Sequence, residues 1–251
     1  MASVTTTLTH SAYAFSWPCI DRSEGKAPMA SSGNNLYVAW WGNKTGNYEV
    51  MFKASNDNGQ TFGRQINLSN STNGTSVKAD VAASGKNVYV TYWDNKTGFG
   101  IPYIRASTDA GKTFGPAITL TDPTDHPVYS AQTKAQLQKL NMYEYKLAAS
   151  GNNVYVISNA AETNKKLYSP PDIFIKSSNN NGQTFGKEIN LSNSTGIPST
   201  RAEIEASGNN VYVSWWDKSG GKDQPMIRIS HDGGHTFGKA IMLTAKPNTS
   251  P

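Results

Sequence analysis

The chain is poor in the groups that usually declare a chemistry. Cys19 is the single cysteine among 251 residues, so no internal disulfide can form. That removes a common sign of secretion without arguing for a reducing compartment. Charged residues make up only 16%, and the net charge of +5 is spread without a basic block, which gives nucleic-acid binding little support. Of the four histidines, His231 and His235 sit in a turn-rich stretch where their spacing does not bring both rings to one helical face, as a zinc site would need. No Ser-His-Asp set can be argued from the rest. There is no glycine-rich phosphate loop. Long apolar runs are missing, and Met1 to Leu8 lacks a basic stretch followed by an apolar one. Neither a leader peptide nor a membrane span is expected in the sequence as it stands.

What the chain does have is repetition. The pattern Ser-x-Asp-x-Gly-x-Thr-Phe occurs four times, at Ser55 to Phe62, Ser107 to Phe114, Ser178 to Phe185 and Ser230 to Phe237. The aspartates are Asp57, Asp109 and Asp232, and the third copy has Asn180 instead. A Ser-Gly-Asn/Lys-Asn motif precedes each box, at Ser32, Ser84, Ser150 and Ser207. The unit is about 52 residues, a length that suits one four-stranded propeller blade. Within a unit, short Val-, Ile-, Tyr- and Trp-rich runs alternate with period two between Gly, Asn, Asp and Ser. The spacing therefore predicts strands A to D, with Ser-Gly-Asn-Asn as the A–B turn and the box as the C–D turn. Gly in the box would supply positive φ, and Asp would accept backbone N–H bonds across the turn. A calcium loop is the sharper alternative, but the ligands fall short of an EF-hand set. No cofactor is called for.

The box resembles the Asp-box, or BNR repeat, of sialidases and related β-propellers, over roughly residues 27 to 244. The resemblance implies an all-β propeller of four recognisable four-stranded antiparallel blades, at about 27–69, 77–121, 144–192 and 201–244. Residues 1–26 form an N-terminal strand and linker, since Thr6 to Thr9 reads like a D strand without its blade. That extra strand leaves open a fifth incomplete blade, an oligomer or a larger parent chain. Eight Asn-x-Ser/Thr sequons point toward an extracellular or surface location.

An up-and-down blade puts the boxes at one end and the B–C and D–A connections at the other. The irregular segments fall at that second end. One is the connection Asp122 to Glu144, whose Ser130 to Tyr143 stretch reads as helical; the other is the loop Asn159 to Pro171. Binding is expected there. The innermost strands carry charge on one face: Lys78, Asp80, Glu144, Lys146, Arg201 and Glu203. These charges either neutralise one another in a ring or line a wet pocket at the channel mouth. Trp41, Trp93 and Trp216 end the B strands, and Asp94 and Asp217 follow the last two. They suit sugar stacking and blade packing alike.

The sialidase resemblance would imply an arginine clamp for a substrate carboxylate, a Tyr–Glu nucleophile pair and an Asp acid/base. The clamp positions here hold Lys26 and Lys78, and lysine cannot make arginine's bidentate contact. Tyr145 with Glu203 or Glu144 is the available nucleophile pair. The expected function is therefore non-catalytic binding of a glycan or a protein partner. A sialidase-class glycoside hydrolase and a structural segment of a larger assembly are the alternatives.

Overall fold

The computed structural model describes residues 27–96, 100–121, 145–160, 171–194, 197–218 and 222–244. These form four antiparallel four-stranded sheets and, among the described residues, no helix. The first blade is β1 (Met29–Ser32), β2 (Asn35–Gly42), β3 (Glu49–Ser55) and β4 (Ile66–Asn67). The second is β5 (Ser76–Ser84), β6 (Asn87–Asp94), β7 (Ile101–Ser107) and β8 (Ile118–Thr119). The third is β9 (Tyr145–Ser150), β10 (Asn153–Ala160), β11 (Asp172–Ser178) and β12 (Ile189–Asn190). The fourth is β13 (Ser199–Ser207), β14 (Asn210–Asp217), β15 (Gln224–Ser230) and β16 (Ile241–Met242). Each blade runs A-B-C-D from its inner to its outer strand, as the repeat predicts. The expected N-terminal strand at Thr6 to Thr9 and the helical reading of Ser130 to Tyr143 lie outside the described residues.

The outer strands are shorter than the alternation suggests, two residues each. Short edge strands leave little free backbone for unwanted pairing. After two residues the chain turns a leucine inward: Leu68, Leu120 and Leu191 are all nearly inaccessible. Each keeps one further ladder bond, for example Leu120 N–H to Pro102 O at 3.0 Å.

The boxes close the C–D turns. In the first, Thr61 N–H donates to Asp57 Oδ1 at 2.9 Å, and Gly59 N–H donates to Ser55 Oγ at 2.9 Å. Two residues in succession take positive φ, Asn58 at 59° and Gly59 at 83°. The second and fourth boxes repeat this with Asp109 and Asp232. Asn180 does the same work uncharged: its Oδ1 accepts Thr184 N–H at 3.0 Å, and its Nδ2 donates to Thr184 Oγ1 at 2.8 Å. The turn thus needs an acceptor more than a charge.

The blades are joined by one recurring contact. From the second blade on, the box glycine of a blade sits on an aromatic ring of the blade before it. A Cβ on Gly111 would lie 2.8 Å from the Phe52 ring, and one on Gly234 would lie 3.1 Å from the Tyr155 ring. Gly182 approaches Tyr89 in the same way, at 3.4 Å. At Gly111 and Gly234 glycine is therefore required twice, for its φ and for this approach, whereas at Gly182 only its φ requires it. Tyr37, Tyr89 and Tyr155, at equivalent places in three B strands, are wholly buried. The box phenylalanines reach back as well, with Phe114 edge-on to Phe52 at 4.9 Å. A cation on strand C adds a polar tie: Arg105 Nη1 donates to Leu68 O at 2.9 Å, and Lys176 Nζ to Leu120 O at 2.8 Å. Burying one large side chain is worth roughly 1.5–3 kcal/mol, so these apolar contacts outweigh the turn bonds.

Serine and threonine hydroxyls, with a backbone amide, hold Asp57 and Asp109 at about 2, below the ordinary carboxylate range. A depressed folded pKa contributes stability that is present above about pH 4 and is lost as pH falls toward 2. Asp109→Ala should lower stability by about 1–2 kcal/mol, comparable to losing a helix cap. Asp109→Asn should restore most of that loss and flatten the acid limb. Chemical denaturation of both variants across pH 2 to 7 checks this. Equal midpoints for wild type and Asp109→Ala would overturn it.

Candidate functional site

The charged face of the inner strands is built on two matching irregularities. In β5 the register slips between Val77 and Asp80, and in β13 between Thr200 and Glu203. Each slip is a bulge that places one cation in the left-handed region, Lys78 at φ 55° and Arg201 at φ 55°. A non-glycine residue is strained there, and bulges re-aim side chains at strand ends. Nothing in the sequence marks these positions, because neither carries glycine or asparagine. Both bulges lie at the end of the blade away from the boxes. Arg201 is exposed and Lys78 is half-buried.

Two residues further along, Asp80, Lys146 and Glu203 occupy one repeat position, which the first blade fills with Pro28. They interact across blades. Leu147 N–H donates to Asp80 Oδ2 at 2.9 Å, and Lys146 Nζ pairs with Glu203 Oε1 at 3.3 Å. Burial pushes Asp80 up to about 6, against the pull of the Leu147 amide and of Lys146. Lys146 and Glu203 therefore neutralise each other, one of the two outcomes the charge pattern allowed. Glu144 and Lys26 lie outside the described residues.

The other sequence candidates are placed elsewhere. Trp41 packs against the core between the first two blades, and Trp93 is buried edge-on to Tyr145 at 5.4 Å. Trp216 holds the same repeat position and is 39% exposed. Trp41 and Trp93 stand on the face that meets the following blade and pack there, whereas Trp216, on the last blade, has no such neighbour among the described residues. Asp94 is buried, accepting from Ser71 Oγ, Ser76 Oγ and the Lys96 N–H. Asp217 has a buried Oδ1 with no partner among the described residues. Tyr145 lies against Trp93, while Glu203 is engaged by Lys146. Of the arginines, Arg105 spends its three nitrogens on the carbonyls of Gly115, Leu68 and Phe114. Arg64 lies at the box end. Among the described residues only Arg201 stands at the charged end, and no arginine clamp is assembled.

The sequence reading missed two buried carboxylates that organise the D–A loops. Glu49 accepts the Ser71 N–H at 2.9 Å and also binds Ser69 Oγ. Asp172 accepts from Ser192 Oγ at 2.7 Å, Ser194 N–H at 2.9 Å and Asn190 Nδ2 at 2.9 Å. Burial works to raise Asp172, but these bonds outweigh it and hold its pKa low. The signal was available: Asn-Leu-Ser-Asn-Ser occurs at both 67–71 and 190–194. At the opposite end a cleft of about 1070 Å³ opens between the first two boxes, lined by Arg64, Lys86 and Lys112 among others.

No family model matches the chain, and no curated protein matches it. Solved structures do. A Hadza microbial sialidase aligns with a TM-score of 0.55 at 11% identity, over 85% of this chain and 45% of that one. A protein of unknown function from Dyadobacter fermentans gives 0.60 at 14% identity, over 88% and 69%. A polysaccharide lyase of family PL25, an ulvan lyase, gives 0.55 at 13% identity, over 86% and 55%. The chain thus spans about half the length of the sialidase and the lyase. At these identities the likeness shows the fold, a sialidase-like β-propeller arrangement, and nothing of the chemistry.

A raised folded pKa at Asp80 contributes stability below about pH 4 that is lost as pH rises through about 6. Asp80→Asn should raise the melting temperature above pH 6 and leave it unchanged near pH 4. Thermal scans across that window check this. A variant no more stable than wild type at pH 7 would mean the carboxylate is well solvated.

Proposed function

We propose that the chain is a non-catalytic binding module whose working face is the end opposite the boxes, and that it takes an acidic glycan. The observation that carries this reading is the pair of equivalent bulges holding Lys78 and Arg201 at φ 55°. These cations stand at the same end of two inner strands, β5 and β13, with β9 between them, and Arg201 is exposed. An arginine and a lysine presented from one end of the arc suit a ligand carrying several carboxylate or sulfate groups, with arginine supplying the planar fork. The Lys146–Glu203 pair beneath them offers polar contacts without net charge. The sialidase and ulvan lyase neighbours act on glycans by their own names, which makes a glycan the first ligand class to try. An extracellular or surface setting goes with such a ligand, as do the sequons.

A hydrolase of the sialidase class is the second reading, favoured by one feature: burial pushes Asp80 up to about 6, closer to the range where an acid/base group is useful. Against it stand the lack of an arginine clamp among the described residues and the engagement of Glu203 by Lys146.

Binding to an array of carboxylated and sulfated glycans, followed by titration calorimetry, tests the proposal. Arg201→Ala and Lys78→Ala should each weaken binding by about tenfold or more, the range for losing a charge-assisted contact. Lys86→Ala and Lys112→Ala, in the box-end cleft, should leave it unchanged. Loss confined to the latter pair would move the site to the other end. Turnover of a fluorogenic sialoside that vanishes in Tyr145→Phe and Glu203→Gln would replace the binding reading with the enzymatic one. An acidic protein bound through the same two cations, with no glycan bound, would keep the site and change the ligand class.

A further inference from the structure

The four blades form an open arc. The inner strands meet in order, β1 with β5, β5 with β9 and β9 with β13, whereas β13 and β1 have no comparable contact. Each end of the arc therefore shows half of the interface that joins the blades inside it.

At the first blade, the groups that elsewhere reach back to a preceding blade find none among the described residues. Phe62 is 41% exposed, while its counterparts Phe114, Phe185 and Phe237 pack on the cores between blades. Lys53 stands where Arg105 and Lys176 tie to a leucine carbonyl, and it donates to no described residue. Met29 is 67% exposed beside Val38 and Trp40 on the same unpartnered face.

At the fourth blade the receiving half stands uncovered. Tyr212 holds the place of the wholly buried Tyr37, Tyr89 and Tyr155, yet remains half-accessible with no box glycine upon it. Leu243 is 57% exposed, where Leu68, Leu120 and Leu191 are buried and, for the first two, give their carbonyl to a cation. Trp216 and Ile227 complete an apolar face that in the third blade, through Ile173 and Ile175, is core.

We propose that a second copy of this chain occupies these faces, the fourth blade of one copy packing on the first blade of the next. The partner is chosen by complementarity. The contact between successive blades is made three times within the chain, and a copy necessarily carries the half that each end lacks. The contact is head-to-tail, with Phe62 and Lys53 of one molecule against Tyr212 and the Leu243 carbonyl of another. Made twice, it closes an eight-bladed ring, the upper end of the propeller range. Made once per molecule without closure, it propagates into a chain of copies. The inference is independent of the glycan reading, since neither Lys78 nor Arg201 takes part.

Sedimentation velocity of the full chain over a hundredfold concentration range tests it. A species of twice the chain mass, or a ladder of larger ones, is expected. Val38→Asp and Ile227→Asp each block one end, so each alone should be monomeric with a melting temperature close to that of monomeric wild type. Mixed in equal amounts, they retain one good end apiece and should form a dimer and nothing larger. Should either variant unfold, Phe62→Ala and Trp216→Ala replace them. A wild-type monomer at every concentration would overturn the proposal. So would a Val38→Asp protein that still dimerises alone, because that contact would join like ends, and so would a mixture that stays monomeric.

Discussion

The seat of a box glycine on the tyrosine or phenylalanine of the preceding blade is the contact on which the rest of this molecule depends. It fixes the distance between blades, because a Cβ at Gly111 would stand 2.8 Å from the Phe52 ring. It also explains why the box keeps glycine at the place where the turn demands positive φ. One residue meets two constraints, one local and one between blades. The surrounding aliphatic burial supplies most of the free energy, and the hydrogen bonds at turns and strand ends set the register in which that burial can occur.

Because the boxes hold one end of the arc in a uniform geometry, variation collects at the other. There two inner strands carry bulges, and the inner charges pair across blades through Lys146 and Glu203. The scaffold thus presents cations from two separate inner strands at that end.

The blades, the strand order and the box turns were legible in the sequence, because each rests on period-two alternation and a motif repeated four times. The two-residue length of the outer strands was not legible, since the leucine that follows each one continues the apolar pattern while leaving the ladder. The bulges at Lys78 and Arg201 were not legible, because a left-handed lysine or arginine has no composition signal. The tryptophans were ambiguous between ligand and core for a simple reason: an indole meets either need with the same surface. The carboxylates Glu49 and Asp172 could have been found from the twice-used Asn-Leu-Ser-Asn-Ser loop. The openness of the arc was hidden, because the end faces carry the same residue types as the internal ones.

Asn180 gives the third blade a latch that carries no proton-sensitive group, while the other three latches each hang on a carboxylate. The blades are therefore not equivalent toward acid. As protons arrive, the first, second and fourth turns lose their grip while the third keeps its own. Acid would loosen three of the four C–D turns and spare the third, whose own acid-sensitive point lies at the other end of the blade, in the loop that Asp172 holds.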